Sequence, residues 1–170
     1  MSSKHNNPKD KVLFATNINQ YDLPVWFVGI CERNDVDIKY IPFDRFVLPD
    51  NYKWSLAFYK LNVLSYLLEM EFGKMVYMDT DVFVQNSFAD IWTELDEHIL
   101  MYDISHGLGV ENYRIFIDEV SKFLVERRII THYGGEFFAC NKNNGKKFIV
   151  AAERVYRDIL DKKYETTKGD

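Results

Sequence analysis

Apolar positions along this chain fall into short runs separated by longer segments in which apolar and polar residues mix. The runs predict strands over residues 12–16, 37–41, 75–78, 99–102 and 137–140. The mixed segments carry apolar residues at helical spacing and predict helices over residues 25–32, 53–71, 87–94, 112–128 and 146–163. Strands that alternate with helices indicate an α/β fold.

The centre of the chain carries the most informative pattern, KMVYMDTDVFV at residues 74–84. Residues 75–78 show no polar alternation, which predicts a strand covered on both faces. Asp79 and Asp81 follow, and residues two apart in extended backbone point to the same side. Because two carboxylates aimed one way repel each other, they need a cation or free access to water. The carboxyl end of a strand in an open α/β sheet is also where ligands bind.

A divalent metal ion that carries a diphosphate fits the Asp79–Asp81 pair. Mg²⁺ and Mn²⁺ prefer oxygen ligands, and Mg²⁺ usually takes one or two protein carboxylates and leaves the other positions to phosphate and water. The alternative is that both residues serve only in a turn, where aspartate is common.

Composition narrows the classes of protein to consider. A chain of 170 residues with 47% hydrophobic residues is long enough for one domain with a core and is not disordered in composition. The net charge of −5 and the lack of a basic block argue against nucleic acid as a partner. Cys31 and Cys140 lie in apolar segments and are expected to be buried free thiols.

The ends of the chain are polar. Residues 1–10 are expected to form a flexible leader rather than a signal peptide, and residues 164–170 a polar tail. No apolar run approaches the ~20 residues that span a membrane. Together these features favour a cytoplasmic protein, although an excised domain of a larger or anchored protein would have the same composition.

Two further stretches carry candidate residues. Lys60 falls among the apolar positions of the helix predicted over residues 53–71, either as a lysine that extends its head to water or as a cation near a bound diphosphate. Gly134 and Gly135 precede Glu136 and then an apolar run. Paired glycines allow close approach of the backbone to a ligand, or they form a plain hairpin turn.

At its central stretch the chain resembles the GT-A-fold glycosyltransferases, whose Asp-x-Asp motif follows a hydrophobic strand and precedes a second short strand. The resemblance implies a GT-A, Rossmann-like mixed sheet flanked by helices on both faces. It implies a single domain over residues 11–163, with a nucleotide-binding half at 11–87 and a half for the donor sugar and acceptor at 88–163.

The resemblance also implies roles for individual residues. Asp79 is expected near the ribose and the metal ion, and Asp81 is expected to bind that ion, Mn²⁺ or Mg²⁺, directly. Glu136, and less strongly Asp103, are candidates for a catalytic base. Tyr21 either stacks on a uracil or covers the core. The residues expected to contact the nucleotide or donor sugar are Ala15, Thr16, Asn17, Tyr21, Lys60, Asp79, Thr80, Gly134 and Gly135, and Asn141 belongs to the same family-like segment as the two glycines.

The function expected from this resemblance is metal-dependent transfer of a sugar from a nucleoside-diphosphate sugar, with a UDP-sugar as the expected donor, to a hydroxyl of a carbohydrate or glycan acceptor. Whether the reaction retains or inverts stereochemistry stays open, as does the oligomeric state. A non-catalytic nucleotide-sugar-binding domain, or a fragment of a larger glycosyltransferase, is the main alternative. An aspartyl-nucleophile phosphatase is disfavoured, because Phe83 stands where that family places threonine.

Overall fold

The structure, a computed structural model, describes residues 1–49, 55–107, 109–123 and 131–162. Short 3₁₀ segments lie at Gln20–Asp22, Ser55–Phe58 and Ser105–Gly107. The other elements run in the order α1 (Ser2–Asn6), β1 (Val12–Thr16), α2 (Val25–Arg33), β2 (Val36–Tyr40), α3 (Tyr59–Leu67), β3 (Lys74–Met78), α4 (Ala89–Glu94), β4 (Leu100–Asp103), α5 (Gly109–Phe123), β5 (Tyr133–Asn141) and α6 (Lys142–Lys162).

The first sheet pairs β1 with β2 in parallel, from Val12 opposite Val36 to Thr16 opposite Tyr40. Parallel neighbours need a crossover connection, and helix α2 supplies it. Pro24 stands at the N-cap of α2, where its missing N–H costs no helical hydrogen bond. Asp35 then takes a positive φ of 52° and directs the chain into β2.

The second sheet has the order β3-β5-β4, and β5 is antiparallel to both of its neighbours. The strands predicted from the apolar runs are therefore present, but the single Rossmann-like sheet expected from the resemblance is not seen among the described residues. They form a mixed α/β structure with two separate sheets. The reason is that an apolar run predicts a buried strand without specifying its neighbour. The predicted boundary between the nucleotide-binding half and the half for donor sugar and acceptor lies at residues 87 and 88. It assigns β3 and β5 to different halves, although these two strands pair in one sheet.

The main core lies between α3, α6 and the second sheet. Its buried residues are Phe46, Leu64, Leu68, Phe138, Cys140 and Ile149. A glycine at position 145 lets α6 approach the sheet closely. A Cβ there would lie 2.6 Å from Leu68 Cδ2 and 2.8 Å from Cys140 Sγ, so the packing requires a residue without a side chain. Cys31 and Cys140 are buried free thiols, as predicted, and burial raises the pKa of Cys140 to about 11.

Most elements lie within a few residues of their predicted bounds, and two predictions fail more clearly. The helix expected over residues 53–71 is a 3₁₀ turn followed by α3, which ends at Leu67. The short strand expected after the Asp-x-Asp motif is absent, and residues 82–86 have no regular structure. The ends of three predicted helices (residues 53–54, 124–128 and 163) and the polar tail lie outside the described residues. None of the described helices combines the length and apolar character needed to cross a membrane.

The N-terminal residues also differ from the expectation of a flexible leader. Ser2–Asn6 form helix α1, and polar side chains of Ser2, Asn6 and Asn7 hydrogen-bond to the backbone at Val84 and Phe88. A polar composition predicted exposure because polar residues usually face water. Here those polar groups instead satisfy backbone groups of a distant segment that has no strand partner.

Candidate active site

The predicted site residues of the second sheet meet at one edge. Strands β3 and β4 run in the same direction on either side of β5, so their carboxyl ends meet the start of β5. Asp79 follows β3, and its N–H donates to the carbonyl of Glu136 at 3.0 Å. Asp103 ends β4 opposite Tyr133. Asp79, Asp103 and residues 134–136 are therefore neighbours at this edge, although they are distant in sequence.

The Asp79 carboxylate is held by two side chains. Lys60 Nζ, from α3, lies 2.6 Å from Asp79 Oδ2, and the Tyr77 hydroxyl donates to Asp79 Oδ1 at 3.0 Å. The side chains of Lys60 and Asp79 are 33% and 25% exposed, so a ligand can still reach the pair. Burial, and secondly the charge of Asp79, raise the pKa of Tyr77 far above its usual value, so its hydroxyl stays a donor.

Lys60 was expected near a bound diphosphate, which stays a prediction; the structure places its ammonium against Asp79, and the contact of Tyr77 with Asp79 was missed. The signal for Tyr77 was present in the sequence. Residues 77 and 79 are two apart in an extended strand, and this spacing places their side chains on one side. The sequence does not reveal whether the hydroxyl reaches the carboxylate, because that depends on the rotamers of both residues.

Asp79 and Asp81 lie in a turn rather than in a continuous strand. The Val82 N–H donates to the Asp79 carbonyl at 3.2 Å, so the chain reverses directly after β3. The alternation of side-chain direction along a strand therefore does not predict the direction of the Asp81 side chain. Asp81 and Thr80 are exposed, and Asp81 has no hydrogen bond or ion pair with any residue that the structure describes. The turn alternative is correct for the backbone, but the Asp79 side chain bonds Lys60 and Tyr77 rather than the local backbone.

A bulge in β5 brings the glycine pair over the end of β3. Between Met101 and Tyr102 the pairing partner in β5 jumps from Phe138 to Gly134, which leaves residues 135–137 unpaired with β4. A Cβ at Gly135 would lie 3.0 Å from Lys60 Nζ. A Cβ at Gly134 would lie 2.0 Å from Glu136 Oε2. The glycines thus leave room for the Lys60 and Glu136 heads, and they lie within a bulged strand rather than in a hairpin turn.

The two candidate bases differ in their surroundings. Asp103 is exposed, and its Oδ1 accepts a hydrogen bond from the Ser105 N–H at 2.8 Å. Hydrogen bonding by Ser105 lowers the pKa of Asp103, with smaller effects from His106 and His132. Glu136 is exposed beside Gly134. A carboxylate with a lowered pKa is a weaker base.

Asn141 does not join the site. It lies at the opposite end of β5, paired with Lys74. Its Nδ2 donates to the carbonyls of Leu95 and Asp96, and its Oδ1 accepts from the Asn144 N–H. These bonds satisfy the end of α4 and the start of α6, so its role in the structure is to cap helices.

The candidates after the first strand lie in the other sheet. Thr16 is buried, and its Oγ1 accepts from the Ile18 N–H, while Ala15 is half-buried and Asn17 is exposed. Tyr21 is 87% exposed, so it does not cover the core. Among the described residues, no hydrogen bond or ion pair joins Ala15, Thr16, Asn17 or Tyr21 to the acidic motif.

A short chain of hydrogen bonds nevertheless relates the end of β1 to α3. The Ile41 N–H donates to the Thr16 carbonyl at 2.8 Å, and the Tyr59 hydroxyl donates to the Ile41 carbonyl at 3.0 Å. Burial raises the pKa of Tyr59 to about 12, which keeps this donor protonated. Because Lys60 follows Tyr59 in α3, the first sheet is linked to the helix that carries the cation of the site.

The donor set suits a metal ion that brings its own phosphate oxygens. No cluster of three or more His, Cys, Asp or Glu side chains that could hold a metal ion occurs within the described ranges. Each oxygen of Asp79 accepts one hydrogen bond and keeps a second lone pair, and both oxygens of Asp81 are open. Two carboxylates of this kind, completed by phosphate and water, match the usual ligands of Mg²⁺.

The edge therefore brings the Asp79 carboxylate, the Lys60 ammonium and residues 134–136 together next to the exposed Asp81. The sequence model of glycosyl transferase family 8 matches residues 8–135, and the chain belongs to that family. The matched segment includes Lys60, Asp79, Asp81 and both glycines. No curated protein and no solved structure matches the chain.

Membership confirms the resemblance to glycosyltransferases and identifies the chain as a glycosyltransferase domain. The family implies a nucleotide-sugar donor and a glycan acceptor, and its members are generally metal-dependent.

Proposed function

We propose that this chain transfers a sugar from a nucleoside-diphosphate sugar, with a UDP-sugar as the expected donor, to a hydroxyl of a glycan acceptor, and that the reaction requires Mn²⁺ or Mg²⁺. The observation that carries the proposal is the grouping of Asp79, Lys60 and residues 134–136 at one sheet edge, directly before the exposed Asp81. This edge offers carboxylates to a metal ion and an ammonium group to phosphate.

Asp81 and Asp79 would hold the metal ion, and Lys60 would contact the diphosphate. A bound divalent ion stabilises the negative charge that develops on the leaving diphosphate. The Lys60 ammonium has three donors, one of which bonds Asp79, so two remain for phosphate oxygens. Positive groups fixed where charge develops are among the strongest contributions to catalysis. Tyr77 keeps the Asp79 carboxylate in a fixed orientation.

The acceptor is assigned to this edge, and the nucleoside is assigned to the end of β1 in the other sheet. Glu136 is the preferred candidate to receive the proton of the acceptor hydroxyl if the reaction inverts stereochemistry, with Asp103 as the weaker base. Thr80 and the backbone at Gly134 and Gly135 would contact the donor. The base and ribose would lie toward the end of β1, where Ala15, Thr16, Asn17 and the exposed ring of Tyr21 are found.

Nucleotide release from a panel of donor sugars tests this function. We expect the wild-type protein with Mn²⁺ to release UDP from at least one UDP-sugar, and Asp81→Asn to reduce the rate by about 100-fold or more, as loss of an electrostatic stabiliser does. Glu153→Gln is the matched control, because Glu153 is an exposed carboxylate on α6. Release that is equally fast without metal, or in Asp81→Asn, would refute the proposed site.

A further inference from the structure

Helix α1 binds the segment that follows the acidic motif. The Val84 N–H donates to Ser2 Oγ at 3.0 Å, and Asn6 Nδ2 donates to the Val84 carbonyl at 2.8 Å. The Phe88 N–H donates to Asn7 Oδ1 at 2.6 Å. Three side chains of one short helix thus satisfy three backbone groups in a distant part of the chain.

These contacts are protected from water. Val84 is 6% exposed, Phe88 9% and Asn7 5%. Beyond the helix, Asp10 Oδ2 accepts from Trp92 Nε1 at 3.2 Å, which extends the contact into α4. Backbone groups buried in an irregular segment need partners, and side chains of residues 2–7 supply them here.

The same helix also contacts the turn that precedes β2. Lys4 Nζ lies 2.8 Å from Asp35 Oδ2, and Asp35 directly precedes β2. No strand pairing joins the two sheets in the part of the chain that is described, and α1 bonds both the segment that follows β3 and the turn that precedes β2. The candidate nucleotide site also draws residues from both sheets. Residues 2–7 lie outside the segment that matches the family.

We propose that residues 2–7 act as an N-terminal clamp that fixes the turn containing Asp81. The clamp binds both backbone polar groups of Val84, and the Val82 amide that closes the turn on Asp79 is only two residues earlier in the chain. With Val84 held, both ends of the segment from Asp79 to Val84 are fixed by hydrogen bonds. Asp81, which lies within that segment, is then held in one position. The consequence for nucleotide affinity rests on the proposed function, whereas the effect on the turn does not.

Amide exchange and nucleotide binding, measured on the full chain, test the clamp. The variants are Asn7→Ala and the double variant Ser2→Ala with Asn6→Ala. Asn7→Asp keeps the acceptor oxygen for Phe88 and loses only the Nδ2 bond to the Ser3 carbonyl, so it is the rescue variant for the contact with Phe88. His5→Ala is the matched control, because His5 is an exposed residue of the same helix whose side chain makes no described hydrogen bond or ion pair.

In the double variant we expect exchange of the Val84 and Val82 amides to accelerate about tenfold, the effect of losing a hydrogen bond of ordinary strength. In Asn7→Ala we expect the same for Phe88. In both variants the Kd for UDP with Mn²⁺ should rise about tenfold, and Asn7→Asp and His5→Ala should stay within about twofold of wild type. A role in stability alone would lower Tm without changing this Kd well below Tm.

The outcomes separate the two levels of the proposal. Unchanged exchange at Val82 in the double variant overturns the clamp, whatever the nucleotide data. Faster exchange with an unchanged Kd overturns the link from clamp to affinity. Should the wild type bind no nucleotide at all, the proposed function fails, while exchange at Val82 still decides the clamp.

Discussion

Replacement of Lys60 by methionine separates a structural ion pair from a ligand-binding cation. In the structure Lys60 Nζ lies 2.6 Å from Asp79 Oδ2, with side chains 33% and 25% exposed. Methionine keeps most of the apolar stem and removes the charge. Because solvent screens a pair this exposed, we expect the free energy of unfolding to fall by only about 1 kcal/mol.

The expected effects on ligands have opposite signs. Loss of a charge-assisted hydrogen bond to phosphate, worth about 1.5–3 kcal/mol, should weaken UDP binding at saturating Mn²⁺ by about 10- to 100-fold. Binding of Mn²⁺ alone should become stronger by about two- to tenfold, because Lys60 no longer repels the ion or occupies Asp79. Calorimetric titration measures both quantities on the same sample.

Lys74→Met is the matched control. Lys74 lies at the other end of β3 and makes an ion pair of the same length, 2.6 Å, with Asp96. It should lose a similar amount of stability and bind UDP and Mn²⁺ as the wild type does. If Lys60→Met binds UDP as tightly as Lys74→Met does, the cation does not contact the diphosphate and the reasoning is refuted.

Two further predictions concern the side chains around the motif and the clamp. Tyr77→Phe removes the hydroxyl that orients Asp79 and should weaken UDP binding with Mn²⁺ by about three- to tenfold. Tyr66→Phe removes an exposed hydroxyl and should leave UDP binding unchanged. Equal affinities for both variants would contradict the orienting role of Tyr77. Lys4 lowers the pKa of Asp35, so their pair stabilises the fold above the unfolded-state pKa of about 3.9 and loses this effect as pH falls through the lower folded value. The difference in unfolding free energy between wild type and Lys4→Met should be present near pH 6 and should shrink as pH falls below about 3.9. A difference independent of pH would show that the charge pair does not cause it.

The positions of the strands and helices could largely be predicted from the local pattern of apolar and polar residues. The strand at Val12–Thr16 and the strand before Asp79 were predictable from their apolar runs, and the start of α2 because proline suits a first turn. The strand before Asp79 is nevertheless half-buried along its whole length rather than covered on both faces. Lys60 was singled out because a charge among the apolar positions of a helix needs a partner or water, but its contact with Asp79 was not predicted.

The arrangement in space was harder to predict. The separation into two sheets depends on which strand edges pair, and residue type carries little of that information. The turn at Asp79–Val82 is set by a backbone hydrogen bond, so the spacing of two aspartates did not reveal it. The position of α1 could not be predicted from the sequence. Serine and asparagine residues are equally compatible with a leader that faces water and with one that hydrogen-bonds to a distant backbone.

Calorimetric titration of UDP into the protein, with Mn²⁺ and with a chelator, tests the metal–nucleotide site most directly when wild type and Asp81→Ala are compared, with GDP as the second nucleotide. We predict binding of UDP to the wild type that requires Mn²⁺ and that Asp81→Ala abolishes. Tight binding that depends on neither the metal ion nor Asp81 would contradict the assignment of this sheet edge as the donor site.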